Sequence, residues 1–60
     1  MDDLAAASTL LRALASPHRL AIVRALAAGP CCVHDLVAAL GVSQPLVSQH
    51  LRVLRAEDLV

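Results

Sequence analysis

Residues 33–55 of the 60-residue chain read VHDLVAALGVSQPLVSQHLRVLR, and this stretch decides the fold. Apolar residues recur every three or four positions across residues 33–40, which predicts a short amphipathic helix. Gly41 ends that helix, because glycine adopts the left-handed backbone conformation at little cost. After a short turn, a longer helix is predicted from Gln44 to about Arg55. A short helix, a tight turn that contains glycine and a second helix form the helix-turn-helix pattern.

The upstream half carries signals for two more helices, the first over residues 4–15 with leucines at helical spacing. The second is predicted over residues 17–28, because Ser16 is a good N-cap and the proline after it suits the first helical position. Gly29 is expected to end this helix in the left-handed C-cap conformation, and Pro30 prevents its continuation. We expect this helix to be the central one, because it carries a broad apolar face. That face consists of Leu20, Ile22, Val23 and Leu26.

Groups at the starts of the two downstream helices predict how each of them begins. The Ser43 hydroxyl is expected to accept a hydrogen bond from the Leu46 N–H. Cys32 precedes the shorter helix and is an unusual N-cap residue. Asp35 follows three residues later, so its carboxylate can reach back to the N–H of this cap and also favours the positive end of the helix.

Length and composition bound the class of protein. Sixty residues exclude two independently folding domains, and a 58% apolar fraction with few charges excludes a disordered chain. The formal net charge is zero, with five arginines and no lysine, so a uniformly basic surface is excluded while a local basic face remains possible. Charged residues interrupt every window long enough to span a bilayer, and the acidic start lacks the basic region of a signal peptide. We therefore expect a cytoplasmic protein.

The longer downstream helix has one apolar side and one polar side. At about 100° per residue, Val47, Leu51 and Leu54 share one side and hold the helix to the body of the domain. The opposite side is polar, free of acidic residues and made up of Gln44, Pro45, Ser48, Gln49, Arg52 and Arg55. Gln can pair with adenine, Ser can bind a phosphate or a base edge, and Arg can bind guanine or phosphate. Such a face can also be merely solvated, but the short helix and turn before it favour DNA binding.

Three segments of the chain carry a family resemblance: LASPHRLAIV at residues 14–23, CVHDL at residues 32–36 and SQPLVSQHLRVLR at residues 43–55. Together and in this order, they resemble the ArsR/SmtB family of winged helix-turn-helix repressors. The resemblance implies a homodimeric transcriptional repressor that leaves its operator DNA when it binds an inducer, often a metal ion. It places the family's DNA contacts on Ser43, Gln44, Ser48 and Gln49, with Arg52 as a phosphate contact.

Two features depart from the family pattern. Where the family usually has Ala-Gly before its wing, this chain has Ala-Glu-Asp at residues 56–58, a place that favours left-handed geometry, which Asp tolerates better than most residues. The sequence also stops at Val60, where the family's two-stranded wing begins. We therefore expect one incomplete winged-helix domain over residues 1–60, an all-α four-helix core that stops before the β-hairpin wing. One half of a dimer interface would then consist of Leu4, Leu10, Leu11 and Leu14.

Cys31, Cys32 and His34 form a cluster of soft metal ligands at the start of the shorter helix, where the helix dipole favours thiolates. In family members that sense soft metals through this helix, a Cys-x-Cys pair occupies the positions of Cys32 and His34, and in this chain the second cysteine is replaced by histidine. The resemblance implies zinc or another soft metal ion as a possible inducer. A closed zinc site needs four ligands, so the others would come from a second protomer or a missing segment. The alternatives are a structural role for the cluster and a thiol redox sensor. His18 and His50 are interpreted as structural.

The sequence thus predicts a sequence-specific DNA-binding regulator, specifically a repressor that an inducer releases from its operator. Its partners would be double-stranded operator DNA and a second copy of the chain. The alternative is a helical interaction module, in which the apolar stripe of the first helix and the helix-turn-helix unit serve protein association only. No serine, cysteine or carboxylate lies in a recognisable nucleophilic or acid–base arrangement, so the sequence does not favour an enzyme.

Overall fold

The computed structural model describes the backbone of residues 2–60 and the side chains of residues 3–60. Within residues 2–60 the chain forms four α-helices and no strand. They are α1 (Asp2–Leu14), α2 (Pro17–Ala28), α3 (Val33–Leu40) and α4 (Gln44–Ala56). The predicted all-α four-helix core is therefore confirmed. The bounds of α2 and α3 are as predicted, α1 runs over residues 2–14 where residues 4–15 were expected, and α4 continues one residue further than expected.

The predicted N-caps of α2 and α4 are present. Ser16 Oγ accepts a hydrogen bond from the Arg19 N–H at 3.3 Å. Ser43 Oγ accepts one from the Leu46 N–H, also at 3.3 Å. Both serines lie in extended backbone conformations and precede a helix whose first turn contains proline. Each cap satisfies a backbone N–H that has no partner within its own helix.

The three helix ends differ in backbone conformation. Gly41 ends α3 with φ 67° and ψ 29°, the predicted left-handed geometry, and Asp58 also has a positive φ of 55°, as expected of the acid that follows α4. Gly29 ends α2 with φ 158° and ψ 171°, so the prediction of a left-handed cap there is wrong. Pro30 explains the difference, because a following proline disfavours helical backbone angles and favours an extended ψ.

A small apolar core lies between α2, α3 and α4. Its buried members are Ile22, Leu36, Val47, Leu51 and Leu54. Three of these five side chains come from α4, which packs against each of the other three helices. Burial of one such side chain stabilises the fold by about 1.5–3 kcal/mol. The core therefore fixes which side of α4 faces inwards.

The predicted apolar face of α2 is only partly correct. Ile22 is fully buried, and Val23 and Leu26 pack half-buried against the core. Leu20 is 52% exposed, so its assignment to the inward face is wrong. Residues two apart on a helix point in nearly opposite directions, so a buried Ile22 directs Leu20 towards solvent.

α1 is attached to the other helices mainly through its last turn. Ala13 is buried and Leu14 packs half-buried against the core. Leu4 and Leu11 are each 65% exposed, and Leu10 is 37% exposed. α1 therefore presents a leucine stripe that the described chain does not cover. Among residues 2–60, no helix has both the length and the apolar character that crossing a membrane requires.

Candidate nucleic-acid interface

The two sides of α4 differ in exposure as the sequence predicts. Val47, Leu51 and Leu54 are buried. The exposed residues of the opposite side are Gln44, Pro45, Ser48, Gln49, Arg52 and Arg55. The core holds α4 through one side only, and every residue predicted to contact DNA from this helix is accessible.

The exposed polar residues of α4 form a continuous stripe. Gln44, Ser48 and Arg52 follow one another at intervals of four residues, which places them on one line along the helix. The line rises by about 12 Å from Gln44 to Arg52, because each helical residue adds about 1.5 Å. Gln49 lies beside this line. Amide, hydroxyl and guanidinium groups are therefore presented together on one exposed surface, which we call the α4 polar face and which consists of Gln44, Ser48, Gln49, Arg52 and Arg55.

The α4 polar face is basic. It carries Arg52 and Arg55, and the segment from residue 43 to residue 56 contains no acidic side chain. The acids Glu57 and Asp58 follow the helix at its C-terminal end. The N-terminal end of α4 adds a partial positive charge from the helix dipole. A face with these charges attracts a phosphate backbone although the whole chain has no net charge.

The first turn of α4 has little backbone donor capacity left for a phosphate. Ser43 Oγ binds the Leu46 N–H, and the Ser43 carbonyl binds the Val47 N–H at 3.1 Å. Pro45 has no N–H, so the Gln44 N–H alone is left free among the described groups of this turn. Contacts to DNA at this end of the helix therefore depend mainly on side chains.

α3 and the turn after it fix the position of α4. Leu36 of α3 is 2% exposed and lies in the same core as the inward side of α4. Gly41 turns the chain in its left-handed conformation, and Val42 packs half-buried against the core. This arrangement of two helices and a tight turn is the predicted helix-turn-helix unit.

The three predicted metal ligands do not share one environment. Cys31 is half-buried, and its thiol lies 3.6 Å from the carbonyl oxygens of Ala25 and Gly29. Cys32 and His34 are exposed. Among residues 3–60, no three His, Cys, Asp or Glu side chains are grouped so that they could hold an ion. A metal site here would need ligands beyond those that this chain brings together, and it stays a prediction.

Asp35 supports the start of α3 as predicted. Its Oδ2 accepts a hydrogen bond from the Cys32 N–H at 3.1 Å. Hydrogen bonding from Cys32, first from its backbone, lowers the pKa of the Asp35 carboxyl, and His34 lowers it further. The carboxylate is therefore kept ionised at the positive end of the helix. Cys32 is the N-cap residue of α3, and its thiol is exposed next to the Asp35 carboxylate that supports the cap.

Sequence reasoning missed the most connected polar side chain, Arg19. Its guanidinium donates to the backbone oxygens of Ala13 and Arg12, the latter at 3.2 Å, and its Nη1 lies 3.3 Å from His50 Nδ1. The ring of His18 lies edge-on to that of His50, with centroids 5.5 Å apart. A basic residue shortly after a helix end is a sequence signal for such a contact, because the last carbonyls of a helix lack partners.

The pKa of His50 is lowered, first by burial and then by the charges of Arg19 and His18. This keeps the imidazole neutral, so Nδ1 can accept the hydrogen bond that the Arg19 guanidinium offers. The structural interpretation of His18 and His50 agrees with these contacts. The pair links α2 to α4 on the side away from the α4 polar face.

The fold and this site define a protein with a helix-turn-helix unit whose second helix presents an exposed basic face. Residues 16–60 match the family model described as "Bacterial regulatory protein, arsR family". Because this match covers more than half of the chain, the chain belongs to the arsR family of bacterial regulatory proteins. This confirms the family resemblance carried by the segments at residues 14–23, 32–36 and 43–55.

Several curated proteins are similar to the chain. It is 60% identical over 59 residues to the HTH-type transcriptional repressor SmtB of Mycobacterium tuberculosis strain H37Rv, covering 98% of this chain and 44% of that protein. It is 48% identical to the HTH-type transcriptional regulator NmtR of the same strain, covering 100% of this chain and 52% of that protein. It is 40% identical to the arsenical resistance operon repressor of Staphylococcus xylosus, covering 88% of this chain and 51% of that protein. No solved structure matches it significantly.

The chain spans about half the length of the curated relatives that it matches. Those relatives are named as transcriptional regulators and repressors and not as enzymes. Family membership therefore favours the regulator over the helical interaction module.

Proposed function

We propose that the chain is the sequence-specific DNA-binding part of a transcriptional repressor, with α4 as the recognition helix in the major groove. One observation carries this proposal: α4 has an exposed, basic and acid-free polar face, while three other residues of the helix are buried in the core. A helix held in this way projects its polar side chains rigidly, which base recognition requires. The names of the relatives, which are repressors and regulators, agree with it.

Each residue of the proposed interface has a role that follows from its chemistry. Gln44 and Gln49 carry amides that can pair with adenine in the major groove, and Ser48 can bond to a base edge or a phosphate. Ser43 stands at the start of the helix, and Arg52 lies two turns further on, so these two would contact phosphates. The phosphate contacts would position the helix, and the amides would read the sequence.

A homodimer is the assembly that suits this function. Two recognition helices about 34 Å apart would enter successive major grooves of a near-palindromic operator. The leucine stripe of α1 is exposed in the single chain and would supply part of the contact between protomers. Such a regulator would act in the cytoplasm.

An inducer that releases the protein from DNA completes the proposal, and a soft metal ion such as zinc is the candidate. Cys32 and His34 are exposed and could bind an ion at the start of α3, and Cys31 adjoins them in sequence. These residues supply at most three ligands, and a closed zinc site needs four. The remaining ligands would come from a second protomer or another segment of the protein.

Selection of duplexes from a random-sequence DNA library tests the proposed function. The enriched duplex and a scrambled duplex of the same composition are titrated at several salt concentrations. We expect tighter binding to the enriched duplex and a steep loss of affinity with salt, with a slope of about −0.9 per phosphate contact. No enrichment, or binding that salt does not weaken, would contradict a DNA-binding function.

A further inference from the structure

The Arg19 side chain joins three helices at one point. Its Nε and Nη2 donate to the carbonyl oxygens of Ala13 and Arg12 in the last turn of α1, while its backbone belongs to the first turn of α2. Its remaining branch, Nη1, lies 3.3 Å from His50 Nδ1 on α4. A planar guanidinium can make these three contacts together because its donors diverge in a fixed fork.

We propose that Arg19 is a positioning residue that holds the recognition helix α4 to the end of α1 through a hydrogen bond that only neutral His50 can accept. The inference rests on the proposed function for its effect on DNA binding, but the attachment between the helices can be measured without DNA. The contact between Arg19 and His50 lies on the flank of α4 that faces the core. Through it, Arg19 would control the position of the α4 polar face on the other side of the helix.

The contact depends on the protonation state of His50. Arg19 has donors only, so the pair exists when Nδ1 carries no proton. A protonated imidazole would donate from both nitrogens and would also be repelled by the guanidinium. Acid therefore replaces a hydrogen bond between α2 and α4 by a repulsion.

The groups around His50 all act in the same direction. The charges that act on it are those of Arg19 and His18, both on α2, and α1 meets the cluster through the backbone oxygens that Arg19 binds. Burial also disfavours the imidazolium. Arg12 and Glu57 line a cleft of about 310 Å³ next to Arg19, between α1 and the end of α4.

The effect on stability has a definite sign. The pKa of folded His50 lies below the ordinary value of 6.5, so the unfolded or detached state binds the proton more readily. The attachment is complete above pH 6.5 and is lost as the pH falls through the lower pKa of the folded state. The position of α4 thus becomes sensitive to acid.

Amide hydrogen exchange in the last turn of α1 tests the attachment directly, with rates corrected for the intrinsic effect of pH. In the native chain we expect exchange to accelerate roughly fivefold as His50, followed by imidazole ¹⁵N shifts, becomes protonated. His50→Asn carries an amide oxygen near the position of Nδ1 and does not titrate, so its exchange should stay slow. The same acid response in His50→Asn as in the native chain would overturn the proposal.

A second pair of variants tests Arg19 itself. Arg19→Lys keeps the charge but lacks the fork, so exchange in the last turn of α1 should be faster than native above pH 6.5. Arg24→Lys changes another arginine of α2, which is exposed, and should behave as the native chain does. Equal exchange in the two variants would overturn the role of Arg19.

DNA affinity separates this proposal from the proposed function. On the enriched duplex we expect native binding to weaken roughly fivefold between a pH above 6.5 and the pH at which the ¹⁵N shifts show His50 protonated, and His50→Asn to bind equally at both. If the duplex binds but neither affinity nor exchange responds to His50, the positioning role fails and the function stands. If no duplex binds while exchange follows His50, the function fails and the positioning of α4 stands.

Discussion

Ser43 Oγ lies 3.3 Å from the Leu46 backbone nitrogen and accepts its hydrogen bond. Ser43 is therefore both the N-cap of α4 and the first residue of the proposed DNA contact surface. The cap occupies one lone pair of the hydroxyl oxygen, which leaves its proton free to donate to a phosphate. This one side chain therefore serves both helix stability and the proposed DNA contact, and substitutions can separate these two roles.

Ser43→Ala removes both roles, whereas Ser43→Asp removes only one. We expect Ser43→Ala to lower the free energy of unfolding by about 1 kcal/mol, because the Leu46 N–H loses its partner. Ser43→Asp can cap the helix equally well, so its stability should stay near native while its DNA affinity falls through repulsion of phosphate. Urea unfolding and DNA titration of both variants check this. Native DNA affinity in Ser43→Asp would remove Ser43 from the interface.

Leu54 anchors the inward side of α4 and is fully buried. Leu54→Ala should lower the free energy of unfolding by about 2–5 kcal/mol, because it leaves a cavity in the core. Leu11→Ala makes the same chemical change at a residue that is 65% exposed, and it should shift the stability of the isolated chain by about 0.5 kcal/mol or less. Thermal unfolding monitored by circular dichroism compares them, and equal losses would contradict the assigned core.

The sequence signals that succeeded here are local ones. The bounds of α3 follow from an apolar repeat that ends at Gly41, and the inward side of α4 follows from the spacing of Val47, Leu51 and Leu54. The misassignment of Leu20 has a different cause, because an apolar helix face of four residues does not reveal which of them points to a neighbour. The observed burial of Ile22 decides this.

Arg19 was missed because its partners are distant in sequence. His50 lies 31 residues away, and the contact exists only after α4 has packed against α2.

Gly29 was mispredicted because two local preferences compete there. Glycine favours a left-handed cap, but the proline after it favours an extended backbone. The α4 polar face was predicted completely, since exposure there follows from the burial of the opposite side.

Asp35 gives α3 a pH-dependent start. The pKa of its carboxyl is lowered by the hydrogen bond from Cys32. Its contribution to the stability of the fold is therefore present above the ordinary pKa of 3.8 and is lost as the pH falls through the lower pKa of the folded state. Asp35→Asn should therefore have a lower melting temperature than the native chain at neutral pH. The two should converge in strong acid. A difference in melting temperature that persists unchanged at low pH would contradict a role for the ionised carboxylate.

The two cysteines of the predicted metal site are expected to contribute unequally to metal affinity. Zinc and cadmium are titrated into the reduced chain, and we expect binding tighter than millimolar that Cys32→Ser weakens strongly, because the Cys32 thiol is exposed. Cys31→Ser is the matched comparison, and it should weaken binding less, since that thiol lies against the carbonyl oxygens of α2 and the turn after it. If neither metal binds more tightly than millimolar, the chain does not sense metal through this cluster alone.

The central claim is that the α4 polar face reads base sequence, and Gln44→Ala tests it most directly. Affinities of the native chain, Gln44→Ala and Arg52→Ala are measured on the enriched duplex and on its scrambled form at one salt concentration. The account predicts that Gln44→Ala loses about 1–3 kcal/mol on the enriched duplex and little on the scrambled one, while Arg52→Ala weakens both alike. Equal losses of Gln44→Ala on the two duplexes, or no loss on either, would contradict it.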